Sequence, residues 1–63
     1  MLVKIKSTYG GWGIADTRSI SIAISEAGYC TVWVEGCRFA SIDVDQYKKL
    51  LELMLDGKEM KEI

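Results

Sequence analysis

Between Ser19 and Ile42, small or polar residues alternate with apolar ones through three consecutive segments separated by two turn signals. This pattern restricts the fold more than any other feature of the chain. Side chains alternate with period two along a strand, so a one-residue slip moves a whole set to the opposite face. Ser25-Glu26-Ala27-Gly28-Tyr29 has the form of a three-residue hairpin loop, with Gly28 in the left-handed position that closes it. Folding there sets Ile24 opposite Cys30, Ile22 opposite Val32 and Ile20 opposite Val34. Glu35-Gly36 makes a tight return that sets Val34 opposite Cys37 and Val32 opposite Phe39. All of these share one face. The other face then carries Ser19, Ser21, Ala23, Ser25, Tyr29, Thr31, Trp33, Arg38 and Ala40.

The segment before this meander is a half-buried strand. Val3, Ile5 and Ser7 lie on one side, and Leu2, Lys4, Lys6 and Thr8 on the other. Tyr9-Gly10-Gly11-Trp12 predicts a two-residue turn at the glycines, pairing Tyr9 with Trp12 and Ser7 with Ile14. The alternative is a mobile glycine loop that presents Tyr9 and Trp12. Asp16-Thr17-Arg18 is the connection into the meander.

From Ile42 onward the period becomes helical. Asp43 is placed to cap a helix, with Gln46 three residues later completing a capping box and Ile42 stapled against Tyr47. Asp45 meets the positive end of the helix dipole. Val44, Tyr47, Leu50, Leu51, Met54 and Leu55 form the apolar stripe, and Gly57 stops the helix. Leu53 falls outside the stripe and invites a contact on the helix side. The expected fold is α+β: residues 1–63 as one small domain, an antiparallel sheet of four to five short strands packed on one face by a single C-terminal helix.

Sixty-three residues lie near the lower limit for folding alone. Such a domain buries only about 60% of its unfolded surface, and self-association is a common remedy. With 49% hydrophobic residues to supply the contact surface, a homo-oligomer is expected. A net charge of −1, with 8 basic and 9 acidic residues spread along the chain, gives no global field for duplex DNA. Met1-Leu2-Val3-Lys4 begins a strand instead of a signal peptide, and no apolar run approaches the ~18 residues of a membrane span. The expected location is cytoplasmic.

Reactive chemistry finds little support. The chain has no histidine, so the usual near-neutral base is missing, and the expectation is a protein that is not an enzyme. Capping accounts for Asp43 and dipole placement for Asp45. In the meander register Cys30 and Cys37 are four positions apart, about 13 Å at roughly 3.3 Å per residue and too far for a disulfide. Both are expected as reduced core residues. Two cysteines also fall short of a zinc set, so no metal or cofactor is expected. Gly10-Gly11-Trp12-Gly13 lacks the Gly-Lys-Ser/Thr ending of a phosphate loop, and no periodic helix follows it.

The function is therefore sought on the sheet face that the helix leaves open. There, small side chains let another protein approach closely while Trp33 supplies an anchor. Trp33, Arg38, Tyr29, Trp12 and Tyr9 are the expected contacts with a protein partner, in a regulator or inhibitor type of protein. The alternative is single-stranded nucleic acid. In a continuous sheet Lys4 and Lys6 would join Arg38 and Trp33 as a stacking platform with phosphate partners.

Ser41-Ile42-Asp43-Val44-Asp45-Gln46-Tyr47-Lys48-Lys49-Leu50, entering a capped C-terminal helix after a run of strands, resembles the PC4-like single-stranded-DNA-binding family. The likeness covers about a third of the chain. It implies a dimer that binds single strands across its sheet surfaces. The chain departs from that family in its acidic balance, its serine-rich strand and its sparse basic residues.

Overall fold

A computed structural model of the chain describes residues 1–62. It shows five strands and one helix: β1 (Leu2–Lys6), β2 (Trp12–Asp16), β3 (Ile20–Ile24), β4 (Cys30–Val34), β5 (Cys37–Ile42) and α1 (Val44–Leu55), with a single 3-10 turn over Thr17–Ser19. The class is α+β. The five strands do not form one sheet, as the sequence led us to expect. They divide into an antiparallel pair, β1-β2, and an antiparallel trio, β3-β4-β5.

The division falls at Asp16. Its carboxylate accepts the Arg18 amide at 2.9 Å and takes a fork from the Arg18 guanidinium at 3.1 and 2.9 Å. The Met1 ammonium lies 3.6 Å from the same carboxylate. These bonds hold a tight turn where a continuing hairpin would need extended backbone, so β2 never pairs with β3.

The trio follows its turn chemistry. β3 pairs β4 with Ile20 opposite Val34, Ile22 opposite Val32 and Ile24 opposite Cys30. The Ser25 amide donates to the Tyr29 carbonyl (3.0 Å), the Gly28 amide donates to the Ser25 carbonyl (2.9 Å), and Gly28 has φ +87°. At the next turn Glu35 and Gly36 both have positive φ, the signature of a type I′ hairpin.

A bulge then changes the reading of β5. Val34 faces Cys37 and Trp33 faces Arg38, but Val32 faces Ala40, and Phe39 is the extra residue. Phe39 and Ala40 both turn toward the core. Ala40, expected on the open face, is buried, and Ile42 is buried with it. Ser41 takes the outward place instead.

The β1-β2 register also differs from the two-glycine turn. Lys6 pairs with Trp12, Lys4 with Ile14 and Val3 with Ala15. Thr8-Tyr9-Gly10 forms a three-residue loop closed by Ser7 N–H to Gly11 C=O at 3.1 Å, with Gly10 at φ +102°. This is the Ser25–Tyr29 design again. The three-residue shift reverses the facing of β2. Ala15 points inward and is buried, while Ile14 is 59% exposed beside Lys4.

Ile5, Ala15, Ile20, Cys30, Val32, Ala40, Ile42 and Leu50 form the buried core, with Val3, Ile22, Val34, Phe39, Tyr47 and Met54 packed against it. The hairpin and the helix therefore share the work of covering the trio. Full burial of an aliphatic such as Val32 contributes on the order of 1.5–3 kcal/mol. Cys37 departs from expectation: it is exposed at the sheet end just past the type I′ turn, whereas Cys30 is buried and both are free thiols.

The helix starts where Asp43 accepts the Gln46 amide at 2.8 Å and ends at Asp56, whose left-handed backbone donates to the Glu52 carbonyl. Gly57, also at positive φ, follows. Val44, at the first turn, is exposed. Leu53 is likewise exposed and lines a groove with Val3 and Lys4 of β1. Among the described residues, no helix is long and apolar enough to cross a membrane.

Candidate interaction surface

Trp33 and Arg38 face each other across the β4-β5 ladder, on the side of the trio that, among the described residues, no element covers. The type I′ turn sets them in register, and the bulge just beyond them turns Ala40 inward and brings Ser41 to the outer face. Ser21 lies opposite Trp33 on the β3 side, Ala23 is opposite Thr31, and Thr31 is opposite Ser41. The Arg38 guanidinium donates to Ser41 Oγ at 3.2 Å, which holds it along β5. Trp33 is 36% exposed, with Ser21 and Arg38 as its cross-strand neighbours. Arg38 is the single charge in the strands of the trio. The result is a shallow, nearly neutral surface with one indole and one guanidinium at its centre.

Tyr29 begins on the same face but belongs to a second feature. The Thr8 amide donates to the Ser41 carbonyl at 2.8 Å, which pins the β1-β2 loop against the end of β5. Tyr9 and Tyr29 then line one cleft of about 270 Å³ with Thr8, Ser41, Asp43 and Val44. Tyr9, 80% exposed, stands at its rim. Two loops of the same three-residue design thus place an aromatic ring on one depression beside the start of α1.

Trp12 stands apart from both. It is 63% exposed on the outer face of the β1-β2 pair, with Lys4 Nζ 4.4 Å from its ring centroid and Lys6 as its cross-strand partner. Lys4 and Lys6 therefore belong with Trp12 and Ile14, in a different sheet from Trp33 and Arg38. Sequence reasoning missed Ser41, Thr8 and Ile14. The repeated Ser-x-x-Gly spacing at Ser7–Gly10 and Ser25–Gly28 would have given the loop register and, with it, Ile14.

The electrostatics are simple. The Arg18 guanidinium and amide hold the Asp16 carboxyl well below the usual carboxylate range, and Asp16 in turn raises Arg18. Both sit at the corner between the sheets and do not adjoin the Trp33 face. Among the described residues, no group of three or more His, Cys, Asp or Glu side chains is placed to hold a metal ion. No family model, curated protein or solved structure matches the chain.

Proposed function

We propose that this chain is a non-enzymatic, intracellular interaction protein that binds a protein partner through the outer face of the β3-β4-β5 sheet. The observation that carries the reading is the Trp33–Arg38 pair, an aromatic and a guanidinium set side by side on an uncovered sheet among Ser21, Ala23, Thr31 and Ser41. Trp and Arg are the side chains that most often carry binding energy at protein interfaces, and small neighbours allow a partner's backbone to come close. The Tyr9–Tyr29 cleft extends this surface toward the helix start. The exposed free thiol of Cys37 suits a reducing compartment.

A second reading, single-stranded nucleic acid, draws on Lys4 and Lys6 beside Trp12, which combine cations with an exposed ring. It is weaker because this patch and the Trp33 face do not form one platform.

The test is retention of host proteins on the immobilised chain. A protein held by the unsubstituted chain and by Trp12→Ala, and lost from Trp33→Ala/Arg38→Ala, supports the outer-face reading. Equal retention by all three, or loss with Trp12→Ala alone, contradicts it.

A further inference from the structure

The free edge of β3 offers a surface of a different kind. The Ser25 amide bonds Tyr29 and the Glu35 amide bonds the Ser19 carbonyl, so the odd-numbered residues of this strand direct their backbone groups at β4. By antiparallel alternation the N–H and C=O groups of Ile20, Ile22 and Ile24 point the other way. Among the described residues no strand lies there, since β3 ends the trio. Natural edges of this kind are usually blunted by lysine, proline or a bulge. Ser19–Ser25 contains no charge and no proline, and β3 runs without a bulge. Ile24 is 51% exposed although its side chain lies on the core face of the sheet.

The segment is also nearly palindromic: Ser19-Ile20-Ser21-Ile22-Ala23-Ile24-Ser25. We infer that a second copy of this chain pairs antiparallel along β3, about a two-fold axis at Ile22. In that register Ile22 meets Ile22 of the second copy, and Ile20 meets Ile24. Each pair exchanges two backbone hydrogen bonds through the groups that point outward. It is the one register that sets all three isoleucines against isoleucines on a common face. Ser21 then meets Ala23 on the outer face, where neither obstructs the approach. The interface is isologous and closes as a dimer. It joins the two trios into one six-stranded sheet, with a small-residue trough between the two Trp33 side chains. The inference stands on the strand edge and not on the outer-face reading, which can fail while the dimer persists.

Sedimentation equilibrium from about 1 to about 300 µM tests it, with two variants on the exposed outer face. Ser21→Lys/Ala23→Lys sets like charges against each other across the axis. Ser21→Glu/Ala23→Lys sets opposite charges in contact. The unsubstituted chain is expected to approach twice the mass of a 63-residue monomer. The like-charge variant should dimerise at least tenfold more weakly, and the opposite-charge variant at least as well as the unsubstituted chain. A strict monomer throughout the range overturns the inference, as does equal weakening by both variants. Circular dichroism on each variant confirms that the fold is retained.

Discussion

Phe39 packs its ring into the space that Gly13 leaves by having no side chain: a Cβ built on Gly13 would lie 2.8 Å from Phe39 Cε2. The contact joins the two sheets, because Gly13 lies in β2 and Phe39 is the bulge residue of β5. The same bulge brings Ser41 to the outer face, where it accepts from Arg38, so core packing and the candidate surface share one irregularity.

Gly13→Ala is therefore expected to destabilise the fold by about 1–3 kcal/mol, as overpacking does. In an unobstructed strand the same change would be favourable or neutral. Urea unfolding measures it, and Gly13→Ala in a Phe39→Leu background should cost less.

Trp33→Ala is expected to lower stability by about 1–2 kcal/mol, because its ring is part covered but lies on the outer face with Ser21 and Arg38 as cross-strand neighbours. Partner binding should fall far more than that. Thermal melts read beside binding separate a contact role from a packing role.

The register of the trio was legible because Gly28 and Glu35-Gly36 each specify a hairpin and the isoleucines alternate without interruption. The bulge was not, since neither Phe39 nor Ala40 differs from an ordinary strand residue. What selects it is tertiary: Phe39 finds the gap at Gly13, and Ala40 and Ile42 gain burial. The hairpin register was missed because Gly10-Gly11 is a strong two-residue turn signal locally. The Ser7–Gly11 closure and the Phe39 contact favour the three-residue loop instead. Trp33 and Arg38 were readable as neighbours, since two residues from each flank of the type I′ turn set them opposite. Lys4 and Lys6 were misplaced because the split at Asp16 depends on the Arg18 fork.

Asp43→Ala should cost about 1 kcal/mol through loss of the helix cap, and Asp43→Asn much less, since the amide oxygen can still accept from Gln46. Helix content and chemical denaturation together check this.

Acid should erase the contribution of Asp16. Its folded-state pKa is depressed by the Arg18 hydrogen bonds, so the stabilisation is present above the unfolded value of about 3.9 and is lost as pH falls through the folded value. Asp16→Asn is expected to melt below the unsubstituted chain at pH 7, with the gap narrowing as pH drops below about 4. A gap independent of pH would contradict the pairing.

A single-stranded oligonucleotide should leave Trp12 emission unchanged at low salt in a Trp33→Phe background. Salt-sensitive quenching that is lost in Lys4→Ala/Lys6→Ala would favour the nucleic-acid reading instead.

The most direct test of the central claim, that this chain meets other proteins on the outer face of β3-β4-β5, is photo-crosslinking in the host from a benzophenone side chain. Ala23 and Lys48 are both exposed, one on that face and the other on the helix. A crosslink from position 23 to a protein other than a second copy of this chain, and little from position 48, is the predicted result. Equal yields from the two positions, or none from position 23, would contradict it.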